Sequence, residues 1–570
     1  MRRALCIAVA AAGALVLPAA AFAHAALLHT VPQASGVVNA APKEVALTYS
    51  EAVEPRFAIV SVTDAAAHQE TAGPPRRSPT NPDTLLVPLK HVSEGWYLVY
   101  WRVISVDGHP VRGAFTFAVG PNEGPLPQFV VPSTSETAAT PKLLTARWLV
   151  FLSVMGAIGL AALRLVIARP VIRRVPGTSL RAVTIAFAAV SAVGLVAIPV
   201  YTQMSTADFA LRSFFAFGDV IPLIRASAFG RAYIDLWICF ALFVAATAAA
   251  IRIDRPDREQ RSLAELLSGI GVLLAAGATL LVPGLAGHAA QTAPRGLSVS
   301  LDWLHLASGS LWVGGLIGLL FLWRSLPRDV RVDGLVVVVP RFSNVAFVSV
   351  LVLIASGTWA AVLHLPTLAT LWTTSYGKAL LVKIVLLAAA MMLASGNLLR
   401  TKPRLSRRDR APGAARLLRQ LVTGETVLVA AAIFAAAVLS SLAPPSKALA
   451  SVGGASAHVG PGPVTHTVTK NGYTFGFLVS PNKAGLANAF SVKITRHGKP
   501  VRGADVVITL EMLDMEMQNQ AFRLTETSPG VYTRPPSAAL VMVGHWGLSF
   551  NVTPRGGTPF NVLLVDKANG

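Results

Sequence analysis

The sequence predicts a multi-domain membrane protein: an N-terminal all-β sandwich, an all-α bundle of about eight transmembrane helices, and a small C-terminal β-sandwich. Three observations carry this. Between Leu143 and Leu442 the chain holds eight apolar runs of roughly 20 residues, the length that crosses a bilayer's hydrocarbon core. On either side of that block, apolar and polar residues alternate over short runs separated by turn clusters, the period of half-buried strands. The composition is 53% hydrophobic and 14% charged, with a mean hydropathy of +0.57, as in polytopic membrane proteins.

Taken in order, Arg2 and Arg3 precede the apolar run Ala4–Val16, which ends at Ala21-Phe22-Ala23. That is the form of a secretory signal (1–23), and cleavage after Ala23 leaves His24 as the mature N-terminus. Residues 24–120 are the first β-domain, with strands at Glu44–Tyr49, Phe57–Val62, Trp96–Val103 and Gly113–Val119. A Pro/Ser/Thr-rich linker covers 121–141. The membrane domain, 142–443, carries helices at about 143–168, 182–202, 232–251, 263–282, 301–323, 342–363, 379–399 and 421–442. Ser205–Gly230 is a long loop with several aromatics, read as re-entrant or interfacial. A second linker, 444–463, leads to the last β-domain, 464–570.

The net charge of +21 is a matter of topology. The four loops on one side hold 21 Lys and Arg, and those on the other side hold five. This positive-inside asymmetry puts both β-domains outside a bacterial inner membrane and argues against nucleic acid as a partner. Cys6 and Cys239 are the only cysteines, one in the signal and one in a membrane helix, so neither a disulfide nor a thiolate metal site is available.

Metal chemistry must then come from His, Met, carboxylates or a free amine. All twelve histidines fall on the outer side or at outer helix ends under this topology. Three belong to the bundle: His288 after the fourth helix, His305 in the first turns of the fifth, and His364 at the end of the sixth. Imidazoles at membrane depth tend to be functional, so these are candidate metal ligands; interfacial histidines bonded to backbone are the ordinary alternative. Near the front, a mature N-terminal His24 offers its α-amine and its imidazole in one chelate. Asp107 and His109 stand two residues apart, which in extended chain puts both side chains on one face. Amine, two imidazoles and a carboxylate form the tetragonal N,N,N,O set that Cu(II) prefers.

In the last domain Met512, Met515 and Met517 cluster on one segment, with Met542 and His545 on a later strand. Thioethers select Cu(I), although Met also serves as an ordinary core filler. Lys383 and Asp235 are ionisable groups near the outer third of helices seven and three, read as paired or snorkelling. No ATP-binding Gly-x4-Gly-Lys-Ser/Thr loop, Gly-x-Ser-x-Gly elbow or Cys-x-x-Cys occurs, which points away from an enzyme and toward passive or gradient-coupled transport.

The run from His24-Ala25 through Tyr49-Ser50-Glu51 to Gly95-Trp96-Tyr97 and Trp101-Arg102-Val103-x-Ser105-x-Asp107-Gly108-His109-Pro110 resembles the CopC family of periplasmic copper-binding proteins. That resemblance implies Cu(II) binding by His24, Asp107 and His109. The Met-rich Cu(I) loop of some CopC proteins has no counterpart, since no Met lies between His24 and Thr140. Gly287-His288-Ala289, His305-x6-Trp312-x-Gly314-Gly315, Ser356-Gly357, Tyr376-Gly377-x4-Leu381-x-Lys383, Asn397 and Glu425 are similar to the CopD family of copper-resistance membrane proteins. The C-terminal domain resembles the YtkA type. Together these imply a periplasm-facing inner-membrane protein that binds Cu(II) in its first domain and passes copper to or across the bundle. Its partners would be copper ions, the bilayer and periplasmic copper chaperones. Two other readings stay open: a haem-binding membrane oxidoreductase using the bundle histidines, and a copper-binding or sensing protein whose bundle is only an anchor.

Overall fold

The computed structural model describes residues 25–442 and 455–569, apart from 26, 35, 50, 105–109, 121–139, 210–212, 227, 292–293, 366, 406–410, 456, 514–519, 538, 542 and 558. The predicted signal segment lies outside the described residues. The chain divides into two compact units, a helical bundle and a unit holding both β-modules.

The N-terminal module is built of β1 (Leu27–Val31), β2 (Val37–Val38), β3 (Glu44–Tyr49), β4 (Ile59–Asp64), β5 (Arg76–Arg77), β6 (Thr84–Pro88), β7 (Gly95–Ile104) and β8 (Pro110–Val119). They form two sheets, ordered β1-β3-β6-β5 and β2-β8-β7-β4. Strict alternation along β3 sends Val45, Leu47 and Tyr49 inward, and β7 answers with Val99, Trp101 and Val103. The Tyr49 and Trp101 rings meet edge-on at 5.6 Å across the two sheets. The predicted strand Phe57–Val62 begins later, because Pro55–Phe57 forms a 3₁₀ turn first.

Along β7 the alternation is hidden, because its second face is covered too. Leu98 is 2% exposed and Ala114 0%, packed with Trp96, Tyr100 and Leu486 of the C-terminal module. The Ala114 amide, on the open edge of β8, donates to the Val541 carbonyl at 3.0 Å. An exposed strand edge is thereby paired within the chain. Gly113 makes this approach possible: a Cβ there would lie 2.7 Å from the Trp101 ring and 2.9 Å from the Val541 oxygen.

The C-terminal module comprises β9 (Ala457–Val459), β10 (Val464–Lys470), β11 (Tyr473–Ser480), β12 (Asn488–Arg496), β13 (Lys499–Pro500), β14 (Asp505–Met512), β15 (Gln520–Ser528), β16 (Val531–Ser537), β17 (Gly544–Thr553) and β18 (Phe560–Ala568). The sheet path runs β10-β11-β12-β16-β15-β14-β17-β18-β9, with β13 beside β12. Strands β10 and β15 were not evident in the sequence because their outward positions are polar and their inward ones few. β9 lies in the stretch read as linker and pairs in parallel with β18. Near that pairing Asp566 is 0% exposed; Asn482 Nδ2 donates to its Oδ1 at 2.8 Å.

Eight described helices are long and apolar enough to cross a membrane. They are α1 (Pro141–Ala162), α2 (Arg181–Phe209), α3 (Ala228–Ile253), α4 (Leu263–Ala286), α5 (Arg295–Ser325), α6 (Arg331–His364), α7 (Ser375–Gly396) and α8 (Ala411–Leu439). α1 continues through a π-helical stretch, Leu163–Ile167, and α7 through another, Asn397–Thr401. Most helices outrun the predicted apolar runs, because polar residues extend them past the hydrocarbon core; α6 starts at Arg331 rather than 342. Ser205–Phe209 prolong α2, and Phe217–Asp219 and Val220–Ala226 are short helical turns in the long loop.

Polar contacts fix the alternation of helix directions. Arg147, near the start of α1, donates to Tyr201 near the end of α2 and to Ser440 just past α8; this end is called upper below. At the lower end Arg164 and Arg169 each hold Asp254 at 2.8 Å, and Arg169 reaches Glu265 at 3.0 Å. Small residues bring α5 against its neighbours: Gly159 of α1 lies on Ser310 and Gly314, and Gly315 on the Phe342 ring of α6.

Two stability effects follow. Gly113→Ala forces a methyl into Trp101 and Val541 and lowers unfolding free energy by about 1–3 kcal/mol in denaturant titration; Gly73→Ala, whose nearest neighbour would be 3.4 Å away, serves as the tolerant control. Burial pushes the Asp566 carboxyl up to about 6, opposed by the Asn482 hydrogen bond, the Lys567 amide and the charge of His545. The folded chain then holds this proton more tightly than the unfolded chain. Stability therefore falls as pH rises from ~4 to ~6, by up to about 3 kcal/mol, and levels off above. Urea midpoints across that window show the slope, and Asp566→Asn removes it.

Candidate functional site

Three of the predicted ligands, His24, Asp107 and His109, lie outside the described residues, but the frame that carries them is on view. Leu27, three residues after His24, pairs with Tyr49. Tyr49 in turn touches Trp101, and three residues beyond Trp101 the β7–β8 ladder closes on the Ile104–Pro110 pair. Residues 105–109 are the connection of that hairpin. The start of β1 and the end of β7 are thus tied through one aromatic pair. Tyr49 Oη and Trp101 Nε1 are buried with no hydrogen-bond partner among the described residues, and burial holds the Tyr49 phenol well above its ordinary value.

In the bundle, His305 sits in the upper third, in the seam between α5, α6 and α7. Its Nδ1 lies 3.1 Å from Ser356 Oγ, and Ser356 donates to the Val352 carbonyl at 2.6 Å. With that hydroxyl hydrogen spent on Val352, Nδ1–H is the donor and Oγ the acceptor. Nδ1 therefore carries a hydrogen. Lys383 Nζ faces Nε2 at 3.5 Å, and an ammonium can only donate, so Nε2 is the acceptor and the ring is the neutral Nδ1–H tautomer. Gly357 lets α6 approach the ring, a Cβ there being only 3.2 Å from His305 Cε1. Asp302, one turn above His305 on the same face of α5, interacts electrostatically with Lys383. The cluster is an imidazole, an ammonium, a carboxylate and a hydroxyl from three helices.

The other bundle histidines are not joined to it by any described contact. His288 opens the short turn His288–Gln291 between α4 and α5, and its side chain is outside the described set. His364 ends α6 and bonds the carbonyl of Ala360 on its own helix at 2.7 Å. Among the described residues, no three His, Cys, Asp or Glu side chains come together. Lower in the bundle, Glu425 of α8 accepts from Trp312 Nε1 at 2.8 Å and from Asn397 Nδ2 at 3.4 Å.

In the C-terminal module Met512 is 2% exposed, its strand position opposite Trp546, so its side chain belongs to the core. His545 is half-buried on β17, opposite Lys567. Met515, Met517 and Met542 lie outside the described residues. The sequence pointed to His305, Ser356 and Lys383 but not to Asp302. The signal was the spacing of Asp302, His305 and Trp312, which share one face of a helix.

Residues 27–120 match the CopC domain family, 336–439 the family described as copper resistance protein D, CopD, and 467–550 the YtkA-like family. Copper transport protein CutJ of Bacillus subtilis (strain 168) is 27% identical over 561 residues, 96% of each chain. Protein YobA of Escherichia coli (strain K12) is 39% identical over 106 residues, 18% of this chain and 85% of YobA. Copper resistance protein C of Escherichia coli is 33% identical over 116 residues, 19% of this chain and 91% of its own. The crystal structure of CopC from Methylosinus trichosporium OB3b is 32% identical, covers 18% of this chain and 98% of its own, and has a TM-score of 0.17. The chain belongs to the CopC family and joins its CopC domain to CopD and YtkA-like domains, a CopC–CopD fusion among the copper resistance and transport proteins.

Proposed function

We propose that this protein lies in a bacterial inner membrane with both β-modules on the periplasmic side, binds Cu(II) in its CopC domain, and passes copper to or across the bundle. His24, Asp107 and His109 form the capture site, fed by periplasmic copper chaperones. The observation that carries the second half of this reading is the His305 cluster: a neutral imidazole whose lone pair faces a seam between three helices, toward the end where α1 begins and α8 stops. Neutral imidazole nitrogen suits copper. Lys383 stands in front of that nitrogen, so a cation arriving at His305 must turn the ammonium aside, and Asp302 is the carboxylate that receives it. His288 and His364, at the same end, guard the approach. His545 with Met515, Met517 and Met542 would offer softer ligands for Cu(I), with Met512 as their packing support.

Three experiments test this. Adding one residue before His24 removes the amine–imidazole chelate, and Cu(II) affinity measured by competition titration falls by at least about 100-fold, ~3 kcal/mol. An unchanged affinity refutes the capture site. His305→Gln keeps the helix contacts but removes the Nε2 lone pair, and cellular copper content at limiting copper drops to roughly a tenth of wild type. If deletion of the bundle with both β-modules retained leaves copper content unchanged, the bundle is only an anchor.

A further inference from the structure

We infer that Glu425 is a proton-carrying group through which the bundle couples copper movement to a proton gradient; the inference rests on the transport reading above and adds its driving force. Glu425 is the central residue of α8, about 21 Å from either end of the helix. It is 3% exposed. A carboxylate at such a depth is costly unless a cation or a proton neutralises it.

The described surroundings supply donors but no cation. Trp312 Nε1 reaches Oε1 and Asn397 Nδ2 reaches Oε2. The charged groups on the segments packed against α8 are engaged elsewhere or exposed, Lys378, Arg400, Arg404 and Arg416 being among the exposed ones. Arg147 of α1 holds Tyr201 and Ser440, and Asp302 and His305 of α5 belong with Lys383 of α7. Lys402, beyond α7, donates to Asn344; Arg341 of α6 donates to Val337 of its own helix; Arg419 of α8 lies over the Trp323 ring at 5.9 Å.

A second observation points to a change of state at this spot. Asn397 Oδ1 is buried with no described partner, and so is Thr401 Oγ1 one turn on. Both lie in the π-helical stretch Asn397–Thr401 that interrupts the helix facing α8, and such interruptions recur at functional sites. An amide has two faces. With Glu425 ionised, Asn397 turns its Nδ2–H toward the carboxylate and its Oδ1 is left without a donor. With Glu425 protonated, a flip of the amide lets Oδ1 accept the carboxyl O–H. The proton binds one carboxyl oxygen, removes the buried charge, and leaves from the same oxygen. The ligand is a proton rather than copper, because the donors here are carboxylate and amide oxygens, hard groups that do not select Cu(I).

The test uses the full-length protein in proteoliposomes, with radiolabelled copper outside and a pH-sensitive dye inside. Copper movement by wild type is accompanied by proton movement, and an imposed pH gradient of about two units changes the copper rate by about tenfold. Glu425→Gln, checked for an unchanged thermal midpoint, loses both effects, and Glu425→Asp keeps part of them. Gradient response in Glu425→Gln equal to wild type, or a wild-type copper rate indifferent to the gradient, overturns the inference. If wild type moves no copper at all, the transport reading fails, and infrared spectroscopy then judges Glu425 alone. A protonated-carboxyl stretch present in wild type and missing from Glu425→Gln supports the assignment. Its absence from wild type overturns it.

Discussion

Inside hydrocarbon a polar side chain has no water to fall back on, and its partners must come from the protein itself. That constraint sorts this bundle. Polar atoms gather where helices already meet: Arg147, Tyr201 and Ser440 at the upper end, Asp302, His305, Ser356 and Lys383 below them, Glu425, Trp312 and Asn397 at mid-depth, and Arg164, Arg169, Asp254 and Glu265 at the lower end. α5 contributes to both middle clusters, because its glycines let α1 and α6 come close on one side while Asp302, His305 and Trp312 line another. A helix so used has little surface left for lipid, and over half of its most apolar stretch is buried.

In water the same requirement takes another form. The open edge of β8 is paired to Val541, and the outer face of β7 is covered by Leu486, so the two β-modules share one compact unit. Gly113 is where both packing demands meet, with Trp101 on one side and Val541 on the other. The CopC module's fold and its contact with the C-terminal module therefore depend on one position that tolerates no side chain.

Much of this was legible in the sequence, and the gaps have physical reasons. Eight apolar runs identified eight helices because length and hydropathy are set by the bilayer, and β3 was found residue for residue, since Val45, Leu47 and Tyr49 alternate cleanly against one core. The ends of α5 and α6 were not, because helices continue with polar residues once outside hydrocarbon, where hydropathy no longer marks them. β10, β15 and β18 escaped for want of a one-sided pattern. In the bundle, His305 was visible as a residue but not as a tautomer: that required Ser356, 51 positions away, to spend its hydrogen on Val352. Lys383 was read as paired or snorkelling, and the residue it meets, His305, belongs to a helix two spans earlier.

The donor types in the two middle clusters also differ in a way that constrains mechanism. His305 presents nitrogen, a ligand copper accepts, near the upper end. About 10 Å deeper along α5, a distance set by the seven residues from His305 to Trp312 at about 1.5 Å each, the available atoms are the hard oxygens of Glu425 and Asn397. A soft cation bound by imidazole gains nothing by moving onto them, whereas a proton gains a buried carboxylate with an amide ready to turn. If copper stops at or leaves the seam near His305 and the proton goes on to Glu425, the two ions need not share one route. Helix α5 then links them mechanically, because a shift of His305 at its upper third, against Lys383 of α7, and a change of charge beside Trp312 at its middle act on the same rigid rod.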